Sequence, residues 1–263
     1  MMTLKKDKKA FFFDIDGTLA IHGKVPQSTV ESLKELKNLG HYIFICTGRP
    51  YHYAYSHYAK YADGFITSNG RYIVYEENVL MDEPMKHSQI QHFIEVMRKY
   101  HCGFGIIDQD KGFLEVHDES MREDMKSSYY PGYYMTEFKD SDVSGYMFDV
   151  YFSNHKDFEN VQSELAGEVI LNEHFPHPSA DATILGIDKG NGIDCVLQYF
   201  HLQREDAFAF GDGSNDLCMF QHVEHGIAMG NAIEELKKEA EYVTTSIDND
   251  GIYNALQYYK IIS

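Results

Sequence analysis

The chain holds 263 residues, 43% of them hydrophobic, and carries 41 Asp and Glu against 23 Lys and Arg, a formal net charge of −18. That is enough chain for one large domain or two modest ones. So acidic a surface excludes nucleic acid and anionic membrane as partners, and the apolar runs all fall short of the ~18 residues of a membrane span.

Residues 1–9 are basic, but Phe11-Phe12-Phe13 is followed at once by Asp14 and Asp16. No signal-peptide core reads that way, which points to the cytoplasm. Residues 10–14 form a solid apolar run ending in acid. Residues 28–39 predict a helix, with Ser28 and Glu31 as a capping box, Leu33, Leu36 and Leu39 as its buried stripe, and Gly40 closing it. Residues 41–46 are a second apolar run ending at Thr47-Gly48-Arg49, and residues 64–67 a third, ending at Ser68-Asn69-Gly70. Strands apolar on both faces and separated by helices imply a parallel sheet covered on both sides.

Residues 83–179 differ in pattern. Candidate strands at 103–107, 113–117, 146–152 and 168–172 include alternating patterns, and helical stretches at 88–100 and 156–166 lie among them. This predicts a small α+β domain inserted into the α/β domain. The Tyr-rich piece Tyr129-Tyr130-Pro131-Gly132-Tyr133-Tyr134 reads as a loop whose aromatics pack or line a pocket. The last third again alternates helix and strand, with helix 191–200, strand 207–210, helix 215–222, strand 226–229, helix 232–240 and strand 242–244. The fold class expected is α/β, a Rossmann-like doubly wound, mostly parallel sheet from residues 1–82 and 180–263, carrying an inserted α+β domain at 83–179. Cys46, Cys102, Cys195 and Cys218 lie far apart without metal-ligand spacing and read as reduced thiols.

Three of the predicted strands end in polar clusters: Asp14-Ile15-Asp16-Gly17-Thr18, Thr47-Gly48-Arg49, and Gly211-Asp212-Gly213-Ser214-Asn215-Asp216. Ligands of open α/β sheets bind beyond the carboxyl ends of the strands, so clusters distant in sequence can share one crevice. Two carboxylates ~4 Å apart repel by ~4 kcal/mol at an effective dielectric of about 20. Asp14 and Asp16, joined by Asp212 and Asp216, therefore need protonation or a cation, and oxygen ligands of this kind suit Mg²⁺. Thr47 offers a hydroxyl and Gly48 an approachable amide, with a helix expected to begin near Pro50. Lys189 precedes a helix and could neutralise a phosphoryl group. Cys46 suggests a cysteine-phosphatase loop, but the Arg such a loop needs six residues on is His52.

Asp14-Ile15-Asp16-Gly17-Thr18 resembles the first motif of the haloacid dehalogenase-like phosphatase superfamily. Thr47, Lys189 and the segment 211–216 fall in the order of its second, third and fourth motifs, and the insertion resembles the α+β cap of the Cof-type sugar-phosphatase subfamily. The resemblance covers essentially the whole chain. It implies a Mg²⁺-dependent phosphatase acting on a small phosphorylated metabolite such as a sugar phosphate. Asp14 would be the nucleophile and Asp16 the general acid and base. Asp14, the Asp16 carbonyl and Asp212 would hold the metal, with Asp216 and Asn215 supporting its waters and the phosphate. Thr47, Gly48 and Lys189 would bind phosphoryl oxygens. Two positions depart from the pattern. Asp188 stands where Ser or Thr often precedes the Lys, and Arg71 follows Asn69-Gly70 where a small residue is usual, either toward a substrate or as a surface Arg. Two alternatives use similar residues: a phosphotransferase or mutase on the same scaffold, and a non-enzymatic phospho-Asp signalling module, which the insertion and the second acid argue against. The chain crossings at 82–84 and 178–181 would be hinges.

Overall fold

Phe11, Phe12 and Phe13 alternate faces, yet none of them touches solvent. Strand β1 (Ala10–Phe13) must therefore lie inside a sheet covered on both sides, and burial of each Phe contributes about 1.5–3 kcal/mol. In the computed structural model, which describes residues 8–119, 122, 130–174 and 177–263, β1 is a central strand of an eight-stranded sheet. The other strands are β2 (Tyr42–Cys46), β3 (Gly64–Thr67), β4 (Tyr72–Tyr75), β5 (Asn78–Asp82), β12 (Ala207–Gly211), β13 (His225–Ala228) and β14 (Tyr242–Val243). Their order is β14-β13-β12-β1-β2-β3-β4-β5. Pairing is parallel from β14 to β3 and antiparallel for β3–β4 and β4–β5. The chain proceeds from β1 toward β2 on one side and returns at β12 on the other. The boundary between β1 and β12 is thus the topological switch point, where open α/β sheets hold their ligands. The antiparallel pair β4 and β5 is not foreseen from the sequence.

Helix α1 (Gln27–Asn38) corrects the expected start. Pro26, with φ fixed at −58°, precedes the helix, and no side chain caps it. Ser28 lies inside the first turn, its buried Oγ without a hydrogen-bond partner among the described residues, while Glu31 accepts from Gln27 Nε2 at 2.9 Å. The buried face is Thr29, Ser32, Leu33 and Leu36; Leu39 is the half-buried C-cap, and Gly40 turns the chain at φ +82°. Helix α2 (Tyr51–Tyr58) follows Pro50 as expected.

The chain forms two compact units. The first joins Met1–Arg49, Ala54–Asp82 and Ile187–Ser263; the second is Glu83–Gly186 with Pro50–Tyr53. The second unit holds α3 (His87–Lys99), α4 (His155–Glu164) and a sheet of β6 (Gly103–Ile107), β7 (Gly112–Glu115), β8 (Tyr134–Met135), β9 (Met147–Tyr151), β10 (Val169–Glu173) and β11 (Ser179–Ile184), in the order β10-β11-β9-β6-β7-β8. Ile90, Phe93, Ile94 and Met97 of α3 pack with Phe104, Ile106, Phe148 and Val150 in its core. Tyr133 and Tyr134 pack with Ile107, Leu114 and Val116, so these two aromatics serve packing; Tyr129 lies outside the described residues. Strand β11 carries this unit beyond residue 179, where the sequence pattern closes it. Its inward residues are Ala180, Ala182 and Ile184, and two alanines give little hydrophobic signal.

The chain re-enters the first unit at Ile187 and forms α5 (Lys189–Phe200), two residues earlier than expected. Asp188 is the N-cap: its carboxylate accepts from Asn191 N, and Asn191 Oδ1 accepts from Asp188 N, both at 3.0 Å. The expected helix at 215–222 splits into a 3-10 turn, Ser214–Asp216, and α6 (Leu217–Phe220). α7 (Glu234–Glu239) and α8 (Gly251–Tyr258) complete the unit.

Candidate active site

Asp14 follows the last residue of β1, and its backbone N–H donates to Phe210 O of β12 at 3.1 Å. This bond draws the ends of the two switch-point strands together and brings Asp14 beside the loop that begins at Asp212. Lys189, first residue of α5, is 1% exposed. Its Nζ donates to Asp14 Oδ1 and to Asp216 Oδ1, each at 2.7 Å. The other Asp216 oxygen accepts from the N–H groups of Asp212 and Gly213, at 2.9 and 3.0 Å. Both Asp216 oxygens are thus engaged within the protein, whereas Asp14 keeps Oδ2 clear of the Lys189 bond.

Asp212 is held from the β1 side. Thr18 Oγ1 donates to its Oδ1 at 2.8 Å. Gly17 adopts φ +88°, and a Cβ there would lie 2.2 Å from Asp212 Oδ2, so only glycine permits this approach. Ligand atoms of Asp14, Asp212 and Asp216 all lie within 4.8 Å of one another. Burial pushes Asp14 up to about 7, with Asp216 and Asp212 adding to the rise and Lys189 opposing it. Burial likewise raises Asp212 to about 6, helped by Asp216 and opposed by the Thr18 bond. Burial disfavours the charged Lys189, but Asp14 and Asp216 outweigh it and hold the amine well above its ordinary value. Two buried acids, Asp14 and Asp216, and the half-buried Asp212 share one buried cation, so the site is short of positive charge. All-oxygen donors around such a deficit fit a small, hard divalent cation.

Asp16 stands apart from this group. Its carboxylate accepts from Arg49 Nε at 3.2 Å, and Arg49 NH2 lies 3.2 Å from the same oxygen. The expectation of Asp16 at a metal concerns its backbone carbonyl, not this side chain. Thr47, 2% exposed at the end of β2, accepts from Arg49 N at 3.1 Å, which turns the chain sharply after the strand. Asn215 is exposed in the 3-10 turn next to Asp216. Hydrogen bonds and close approach therefore join Asp14, Lys189, Asp212 and Asp216, while Thr47, Gly48 and Asn215 share the same carboxyl edge of the sheet.

Arg71 is 8% exposed, which corrects the surface-Arg alternative. It follows three consecutive residues at positive φ, Ser68, Asn69 and Gly70 (51°, 53° and 92°). A Cβ on Gly70 would come within 2.0 Å of Asp188 O, so this turn lies directly against the start of α5. Asp188 acts as a helix cap, its carboxylate turned to Asn191 N, while the Lys189 amine bonds to Asp14 and Asp216. Three partners escape the sequence patterns: Arg49 for Asp16, Thr18 for Asp212, and Asn231, whose Nδ2 donates to Gly17 O at 2.9 Å. Asn231 follows β13 in Met229-Gly230-Asn231, a strand-end cluster of the kind that flagged the other motifs.

The sequence profile of haloacid dehalogenase-like hydrolases matches residues 11–256. YkrA of Bacillus subtilis (strain 168), provisionally named a phosphatase, is 30% identical over 263 residues, covering 95% of this chain and 97% of its own. From the same organism, 5-amino-6-(5-phospho-D-ribitylamino)uracil phosphatase YitU is 24% identical, over 94% and 95% of the two chains. Among solved structures, the HAD subclass IIB sugar phosphatase BT4131 superposes with a TM-score of 0.82 at 29% identity, covering 97% of this chain and 100% of that one.

Proposed function

The chain belongs to the haloacid dehalogenase-like hydrolases and is a phosphatase, and from that premise we propose that it hydrolyses small phosphorylated metabolites, sugar phosphates foremost, through an aspartyl-phosphate on Asp14 with Mg²⁺ as cofactor. The observation that carries this reading is the buried Lys189 bridging Asp14 and Asp216 beside Asp212 at the switch point. The sugar-phosphate class is supported by the likeness to BT4131, and the wider class of small metabolites by the likeness to YitU.

Lys189 holds Asp14 Oδ1, which leaves Oδ2 to attack phosphorus. A P–Oδ2 bond forms as the bond from phosphorus to the substrate oxygen breaks, and Asp16 gives that oxygen its proton. Water then attacks the phosphorus of the aspartyl-phosphate. Asp16 takes the proton of this water, and Asp14 is regenerated with release of inorganic phosphate. The Thr47 hydroxyl, the Gly48 amide, Lys189 and Asn215 would bind phosphoryl oxygens. Asp14, Asp212 and the Asp16 carbonyl would hold Mg²⁺, with Asp216 orienting Lys189 and the Asp212 loop. When bound, the ion offsets the charge of carboxylates and phosphate, so that nucleophile and substrate can approach. The unit Glu83–Gly186 would act as a cap that selects the substrate. Four free thiols suit the reducing cytoplasm.

The test is phosphate release from a panel of phosphorylated metabolites, with Mg²⁺ or EDTA, for wild type and Asp14→Asn. Turnover that needs Mg²⁺ and disappears in the variant is expected. Turnover that survives EDTA, or that Asp14→Asn retains, would overturn the mechanism.

A further inference from the structure

Asp212 is held at four points. Its N–H donates to Asp216, its carbonyl accepts from Ile233 N at 3.0 Å, its Oδ1 accepts from Thr18, and its Oδ2 lies 3.4 Å from Asn231 Nδ2. The first three come from groups that also serve local backbone structure or the Asp14–Thr18 motif. The fourth comes from the loop after β13. Asn231 Oδ1 accepts from Ile247 N at 3.0 Å, and this bond fixes which end of the amide faces the site. With the amide so turned, Nδ2 presents one hydrogen to Gly17 O at 2.9 Å and the other toward Asp212 Oδ2.

We infer that Asn231 is a positioning residue for the divalent cation: it fixes the rotation of the Asp212 carboxylate and the height of the Gly17 turn beside it, and so sets how tightly the site holds the ion. The inference rests on the reading of Asp212 as a metal ligand. Among the described residues Asn231 supplies the side-chain donor to Asp212 Oδ2, and its loss also removes the tie on Gly17 O. Gly17 sits so close to Asp212 that slack in one is felt by the other. Loss of a group that orients a ligand weakens metal binding by about 10–100-fold.

The probe is Mn²⁺, titrated into the full chain without substrate and followed by electron paramagnetic resonance, with urea unfolding in EDTA recorded alongside. Four variants accompany wild type. Asn231→Ala removes both ties. Asn231→Ser keeps a short hydroxyl and serves if the alanine variant does not fold. Asp212→Asn tests the ligand itself. Asn254→Ala loosens the same 244–251 loop by removing bonds to Thr245 Oγ1 and Asn249 O, away from Asp212. The inference expects Asn231→Ala and Asn231→Ser to bind Mn²⁺ about 10–100-fold more weakly and to regain most of kcat at saturating cation, while Asn254→Ala lowers stability and leaves Mn²⁺ affinity alone. Wild-type affinity in both Asn231 variants, or an equal loss in Asn254→Ala, would overturn it. If wild type takes up no Mn²⁺, or Asp212→Asn binds as wild type does, the metal reading of Asp212 itself has failed and this inference falls with it.

Discussion

Asp14 and Asp212 are carboxyls kept in surroundings that favour their neutral form, at about 7 and about 6 against an ordinary 3.8. Between those values and the ordinary one, the folded protein retains protons that the unfolded chain has released. Stability contributed by these groups is therefore full below pH ~4 and lost as pH rises toward ~7, on the order of a few kcal/mol in all. In EDTA, the urea midpoint of wild type should fall across this window more steeply than that of Asp14→Asn. Under the proposed function, saturating Mg²⁺ should flatten the difference, because a bound ion would favour the ionised carboxylates. Parallel slopes for wild type and variant in EDTA would mean that Asp14 is not held as its burial and neighbours indicate. At this scale the sequence is informative about residue types and poor about their partners. Asp14, Asp212 and Asp216 are marked by acids at strand ends, and Lys189 by a lysine just before a helix. The Arg49–Asp16 pair is not legible, since it depends on a turn set by Thr47 accepting from Arg49 N.

The helix starts show how two similar patterns part in three dimensions. Asp188-x-x-Asn191 forms a reciprocal cap, and Ser28-x-x-Glu31 does not. Pro26 sets the start of α1 too early for Ser28 to cap it, whereas the chain entering α5 is extended through Asp188 at φ −137°. Asp188→Ala should cost about 1 kcal/mol in urea unfolding, and Asp188→Ser should restore much of it. Ser28→Ala should leave stability unchanged or raise it by up to about 1 kcal/mol, because a buried hydroxyl with no partner among the described residues carries a desolvation cost that alanine avoids. A loss of the full capping energy at Ser28 would contradict the observed start of α1. The strands that escape the sequence patterns are β4, β5, β8 and β11. None ends in a polar cluster of the site: β5 is mostly exposed, β8 is only two residues long and β11 turns two alanines inward, while β4 is an apolar run, Tyr72-Ile73-Val74-Tyr75, that lacks only the motif.

At the scale of the whole molecule, the acidic excess works against the proposed substrate. A net charge of −18 repels a phosphate dianion at long range, and the screening length shortens to ~10 Å at 0.1 M salt. kcat/KM for a sugar phosphate should therefore rise as KCl is added at fixed saturating Mg²⁺. A fall would mean that the local field of Arg49, Lys189 and the bound cation governs encounter instead. Composition alone foretells this tension, and the two-unit organisation is visible as a change of pattern near residue 83. The far limit of the insertion is not, because it depends on which sheet β11 joins.

The placement of β1 between β2 and β12 also bears on how the chain emerges from the ribosome. Phe11, Phe12 and Phe13 find Ile43, Phe44 and Ile45 early, but their other neighbours, Phe208, Ala209 and Phe210, come close to two hundred residues later. At about 5–20 residues per second, an aromatic sheet edge stays open for roughly 10–40 s of synthesis. The inserted unit is complete by Gly186 and can fold within that interval. The nascent protein would then pass through a stage with one finished unit and one half-built sheet, whose Phe-lined rim is exposed apolar surface prone to association. Asp212 and Asp216 arrive just after the strand that closes this rim, so the carboxylate group they form with Asp14 is complete only as the main sheet closes.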